Sequence, residues 1–240
     1  MIELIPAIDI IGGQCVRLRK GDYEQKTVYG EDPCRIALQL EESGFRRLHM
    51  VDLDGAKAHH TVNIGLLKAI KEQTRLTVDF GGGLKTDHDV ELAFNCGADM
   101  VTVGSVAATH PEMLCGWIER FGADRIILGA DVSEGKIRIN GWKEGTQYGL
   151  HDFLRFYVDK GISRVLCTDI SRDGMLSGPA IGLYKEIMEA FPGLHLIASG
   201  GVSGNGDIDQ LAAAGIPAVV FGKALYEGKI DIKKLMQHHG

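Results

Sequence analysis

The chain has 240 residues, a formal net charge of −6 and 45% hydrophobic residues. No basic run exceeds two residues, as at Arg46-Arg47 and Lys233-Lys234, which excludes the clustered cations that nucleic-acid affinity needs. No apolar run reaches the roughly 18 residues of a membrane span, and MIELIPAIDI lacks the basic start of a signal peptide. The five cysteines are scattered, odd in number and without C-x-x-C, so a reduced, cytoplasmic protein is expected.

Along the chain, eight short runs rich in Val, Ile and Leu stand out: 4–8, 48–51, 76–80, 100–103, 126–130, 164–167, 194–198 and 218–221. They mostly lack alternation, the mark of strands buried on both faces. Helical patterns lie between them at 33–43, 64–73, 87–95, 111–121, 150–160, 180–190 and 207–214, with glycine stops at Gly44, Gly97, Gly161 and Gly215. Such alternation predicts an α/β protein with a parallel sheet.

An internal repeat selects the architecture. Ile8-Asp9 followed by Gly13 matches Ala130-Asp131 followed by Gly135, at an offset of 122. Asp52 matches Asp169, and Ile64-Gly65-Leu66 matches Ile181-Gly182-Leu183, both at 117. Gly82-Gly83 matches Gly200-Gly201, and Gly104 matches Gly222, at 118. The reading is one domain over 1–240, a single (β/α)8 barrel made of two (β/α)4 half-barrels at about 1–122 and 123–240.

Active sites of such barrels lie at the C-terminal ends of the strands. There the sequence places Gly82, Gly83, Gly104 and Ser105 in the first half, and Gly200, Gly201, Gly222 and Lys223 in the second. Each group precedes a helix, where backbone N–H groups and the helix dipole receive phosphate; glycines also serve simply as tight turns. Two equivalent groups favour phosphate sites and a small substrate with a phosphate at each end. Asp9 and Asp131 end strands one and five and face each other, a pair suited to general base and general acid. Thr168 ends strand six, where its hydroxyl can orient substrate or an acid. Asp173-Gly174 reads as a turn placed to present an N–H to phosphate. Trp142, after a hairpin at 136–140, either stacks on a planar heterocycle or plugs the loop. Arg19, in the first hairpin, either neutralises a phosphate or is solvated. Asp52 and Asp169 read as loop braces, and His49 as a satisfied core histidine. No metal is expected and NAD use is unsupported, since neither H-E-x-x-H nor a first-turn GxGxxG occurs. A monomer is expected, with neither a nucleic-acid nor a membrane partner.

The segments IPAIDI, VDLDGA, FGGGLK, VGSVA, GAD, NGW, TDISRDGMLSGP, ASGGV and FGKAL occur in that order. Over about residues 1–230 the chain resembles the phosphoribosylformimino-5-aminoimidazole carboxamide ribotide isomerases of histidine biosynthesis. The resemblance implies an Amadori rearrangement of an aminoaldose to an aminoketose, on a substrate with two phosphoribosyl groups and without a cofactor. It puts the general base on Asp9, the general acid on Asp131, the strand-six threonine on Thr168 and the stacking indole on Trp142. Lys85 departs from an arginine frequent in the family, and loses its bidentate fork. Asn140 stands where dual-specificity relatives, which also isomerise phosphoribosylanthranilate, tend to have arginine; this favours the single-substrate enzyme. The related cyclase subunit of imidazole glycerol phosphate synthase usually begins C-x-D-V, against Ala7-Ile8-Asp9-Ile10 here. A two-carboxylate glycosidase and a silent phosphosugar binder are the readings from other classes.

Overall fold

The computed structural model describes residues 1–19, 22–142 and 144–240, the side chain of Arg19 excepted. Eight parallel strands form the barrel: β1 Glu3–Ile11, β2 Arg47–Asp52, β3 Thr77–Gly81, β4 Met100–Val103, β5 Ile126–Ser133, β6 Arg164–Asp169, β7 His195–Ser199 and β8 Ala218–Phe221. Each pairs with its sequence neighbours, and β8 closes the ring on β1 with Ile5 opposite Val220. Six contain whole the apolar runs read from the sequence, and β3 and β7 each begin one residue after the start of theirs.

Outside stand α1 Pro33–Glu42, α2 Ile64–Gln73, α3 Asp87–Asn95, α4 Pro111–Phe121, α5 Leu150–Val158, α6 Ile181–Ala190, α7 Asn205–Ala213 and α8 Ile232–His239. Local chemistry sets several starts. Asp32 accepts from the Arg35 N–H ahead of α1, and Thr86 and Asp89 form a reciprocal capping box on α3. The sequence reading did not include α8, which buries only Leu235, nor the short helices Leu53–Ala58, Ser105–Thr109 and Lys223–Tyr226. No described helix is long and apolar enough to cross a membrane.

The main apolar core lies between strands and helices, and a smaller cluster of Ile5, Ala7, Met100, Ile127, Leu166, Ile197, Ala218 and Val220 fills the barrel. Registry defines two inner rows. Toward the strand ends run Asp9, Val51, Gly81 and Thr102, repeated as Asp131, Thr168, Ser199 and Val220. One step deeper run Ala7, His49, Asp79 and Met100, repeated as Gly129, Leu166, Ile197 and Ala218. The repeat seen in the sequence is thus a repeat of position around the barrel.

Candidate active site

The strand ends surround a cavity of about 260 Å³ that contains Asp9 and Asp131. Asp9 is framed by a hairpin. Gly12 and Gly13, at φ 59° and 76°, make a two-residue turn that sets Asp9 opposite Val16. The returning strand Gln14–Arg19 then carries Arg17 over the cavity. Arg17 Nη1 lies 3.0 Å from Asp9 Oδ2, and Nη2 lies 2.5 Å from Asp173 Oδ1. Burial works against the Arg17 charge, but the two carboxylates outweigh it and hold the guanidinium protonated more firmly than usual. Its Nε is buried with no hydrogen-bond partner among the described residues.

Asp131 sits differently. It accepts from Trp142 Nε1 at 2.9 Å and stands opposite Thr168 in register, and both side chains favour its charged form. Burial dominates these and raises the Asp131 carboxyl above the usual range, so it retains a proton more readily than a free aspartate. Trp142 is at the tip between strands Lys136–Ile139 and Glu144–Gly149. Asn140, Gly141 and Trp142 are consecutive left-handed residues, at φ 53°, 64° and 71°. Non-glycine residues adopt that region at a cost, and such strain collects at functional loops.

The two glycine groups form two cradles flanking the acids. The first holds Gly82, Gly83, Lys85, Gly104 and Ser105. The second holds Gly200, Gly201, Gly222 and Lys223, with Arg17 and Gly174 on its wall. Lysine and serine change places between them: Lys85 corresponds to Ser203, and Ser105 to Lys223, both at an offset of 118. Each cradle therefore has one lysine, supplied by a different strand end. Lys223 Nζ donates to Gly174 O at 2.7 Å.

The glycines are of two kinds. A Cβ on Gly82 would stand 2.2 Å from Asp52 O, and one on Gly201 2.2 Å from Gly178 O. There the loops themselves demand glycine. At Gly104 and Gly222 the nearest atom to such a Cβ is 3.6 Å away, so protein packing leaves room.

Other expected residues have altered places. Of the Asp173-Gly174 turn, read from the sequence as presenting an N–H to phosphate, the Asp173 N–H donates to Asp169 O at 3.1 Å, while Gly174 lines the second cradle. The Asp173 carboxylate is instead the partner of Arg17; burial pushes that carboxyl up while Arg17 pulls it down. The Arg19 side chain lies outside the described residues, and Arg17 is the hairpin arginine at the site. Asp52 accepts the N–H groups of Gly55, Val62 and Asn63, and Asp169 that of Ser171, so both brace loops. Among described residues, no three His, Cys, Asp or Glu are grouped to hold a metal ion.

His49, read from the sequence as a satisfied core histidine, is buried and bonded as expected, but its place on the cavity floor and its partner Asp79 were not foreseen. His49 lines the cavity, and its Nδ1 lies 2.5 Å from Asp79 Oδ1. Asp79 also accepts from Thr102 Oγ1 at 2.8 Å and Arg47 Nη2 at 3.2 Å, and Arg47 reaches Glu3 at 2.9 Å. Burial and the charged neighbours act oppositely on this pair. Burial would lower His49 and raise Asp79, but their mutual attraction wins, leaving His49 raised and Asp79 lowered.

Comparison with known proteins agrees with this geometry. A family model described as histidine biosynthesis protein matches residues 3–231. A protein of Parabacteroides distasonis is 58% identical over 237 residues, covering 99% of each chain. One of Bacteroides thetaiotaomicron is 58% identical over 235 residues, covering 98% of each. One of Cytophaga hutchinsonii is 46% identical over 237 residues, covering 99% of each. All three are named 1-(5-phosphoribosyl)-5-((5-phosphoribosylamino)methylideneamino)imidazole-4-carboxamide isomerase. With a barrel, two cradles and a facing acid pair in the matched span, the chain belongs to the histidine biosynthesis protein family.

Proposed function

We infer that the protein is an isomerase of histidine biosynthesis that performs the Amadori rearrangement on the imidazole carboxamide substrate bearing two phosphoribosyl groups. The observation that carries this reading is one acid pair, Asp9 and Asp131, between two cradles of matching build. A ligand phosphorylated at both ends spans them, which centres its sugar on the acids.

Asp131 is the general acid. Its raised carboxyl keeps a proton to give to the furanose ring oxygen as the C1′–O bond breaks and the nitrogen lone pair forms a C1′=N bond. Asp9 is the general base. It takes the C2′ proton, and the electrons of that C–H bond form C1′=C2′ as those of C1′=N return to nitrogen. The enolamine then becomes the ketone at C2′ by proton transfer to C1′, so the net reaction neither gains nor loses atoms. Thr168 fixes the Asp131 carboxyl, and Trp142 leaves that carboxyl to stack on the ligand's heterocycle. Arg17, between Asp9 and the second cradle, can exchange a carboxylate for a phosphate oxygen. Lys85 and Lys223 supply charge to one phosphate each, and Ser105 and the cradle N–H groups complete the contacts.

The direct test is turnover of that substrate by the protein and by Asp9→Asn and Asp131→Asn. Each substitution is expected to lower kcat at least about 10²-fold, the scale of general acid–base catalysis. Undiminished turnover in either would remove that residue from its role.

A further inference from the structure

The two halves solve the cavity floor differently. In the second half the deeper row is Leu166 and Ile197, with Val220 above it. The corresponding residues of the first half are His49, Asp79 and Thr102. An apolar trio therefore fits this backbone, and packing alone does not require an ionic one. A buried ion pair is costly to desolvate and is often matched or bettered by apolar residues.

The ionic trio also has an exposed end. Asp79 takes Nδ1 of His49, and Thr102 and Arg47 hold Asp79 in turn. The His49 side chain is 8% exposed, and what is exposed faces the cavity. Nε2 has no hydrogen-bond partner among described residues and is not among the buried unsatisfied atoms. With Nδ1–H directed at a carboxylate and the ring's affinity for protons raised, Nε2 carries a proton toward the cavity. Phosphates have their own cradles on either side, so this donor meets what lies between them.

We propose that His49, oriented by Asp79, is a specificity-determining residue whose Nε2–H donates to the carboxamide oxygen of the ligand's imidazole. The proposal rests on the isomerase reading above for the identity of the ligand. A carboxamide oxygen is a strong neutral acceptor, and a fixed donor held within the cavity rewards it. A ligand lacking the group strands the donor, which is how a polar pocket rejects an analogue. Leu166, at the equivalent place, offers no such contact, so the ligand is read on one side of the pseudo-symmetric cavity.

The test uses the full chain and two mononucleotide probes, aminoimidazole ribotide with and without the 4-carboxamide, as competitors of turnover or by direct calorimetry. The native protein is expected to prefer the carboxamide by about 10- to 100-fold, the range of a hydrogen bond to a charged donor. His49→Leu is expected to reduce the preference to about two-fold or less, with affinity for inorganic phosphate unchanged. If Asp79, left without its partner, unfolds that variant, the triple variant His49→Leu/Asp79→Ile/Thr102→Val carries the measurement, since it copies the trio the second half already packs. Equal binding of both probes by the native protein overturns the proposal, as does a preference that survives in the variant. Absence of native turnover refutes the isomerase reading instead, and calorimetry with the two probes still decides the role of His49.

Discussion

The two half-barrels share a backbone plan and differ in where they put polarity. The second half is polar at the strand ends, with Asp131, Thr168 and Ser199 in the outer of the two inner rows, and apolar below. The first half ends its strands in Asp9, Val51 and Gly81 and buries its charges one step deeper, at His49 and Asp79. The acids follow the same division. Asp9 stands in an ion pair with Arg17, whereas Asp131 is dried by burial and accepts from the neutral indole of Trp142. Two equivalent positions acquire different partners although the chain around them folds alike.

The largest effect expected from breaking this contrast is on stability. Installing the ionic trio in the second half, as Leu166→His/Ile197→Asp/Val220→Thr, lacks the support of Arg47 and Glu3; Arg164, the mate of Arg47, already donates to Asp124 O. An under-supported buried charge costs about 3–5 kcal/mol, readable by urea unfolding. The opposite exchange in the first half is expected to be neutral or stabilising by about 1–4 kcal/mol, because Arg47 keeps Glu3. Equal penalties in both directions would show that the rows are not interchangeable.

Next come the glycines. Gly82→Ala and Gly201→Ala are expected to cost about 2–4 kcal/mol, from the backbone clash and a left-handed φ together. Gly104→Ala and Gly222→Ala are expected to stay within about 1 kcal/mol of the parent while weakening inorganic phosphate binding. Thermal unfolding with and without phosphate separates the pairs.

The smallest effect concerns Asp131. Its folded carboxyl is raised, so the native state binds more protons than the unfolded chain between the two titrations, and stability falls as pH rises through that window. Asp131→Asn removes the penalty. Its Tm is expected to equal the parent's in acid below the carboxylate range and to exceed it at neutral pH, the same exchange of stability for function seen at many sites. A Tm difference independent of pH would mean that burial does not govern this group.

Strands and helices were legible because runs such as 126–130 and 218–221 are apolar without alternation, and because the offsets near 120 recur in order. The short helices Ser105–Thr109 and Lys223–Tyr226 escaped, being too brief to show a period. Arg17 is not legible in the same way: the Gly12-Gly13 turn sets Val16 opposite Asp9, so strand alternation alone points Arg17 away, and only the folded hairpin shows its guanidinium reaching the acid. The His49–Asp79 pair was hidden for another reason. Reading only the residues after each strand skips the inward position one step below, where a histidine and an aspartate on adjacent strands meet. Asp173 was placed in the right loop, but a sequence does not reveal that its amide is already engaged by Asp169.

The close approach at Gly82 and Gly201 bears on descent. A glycine demanded by the neighbouring loop's carbonyl persists whether or not a lineage still handles phosphate. In a descendant that abandoned its ligand, Gly82 and Gly201 would endure as relics of the scaffold. Gly104 and Gly222, where packing leaves room for a Cβ, would be the first to drift.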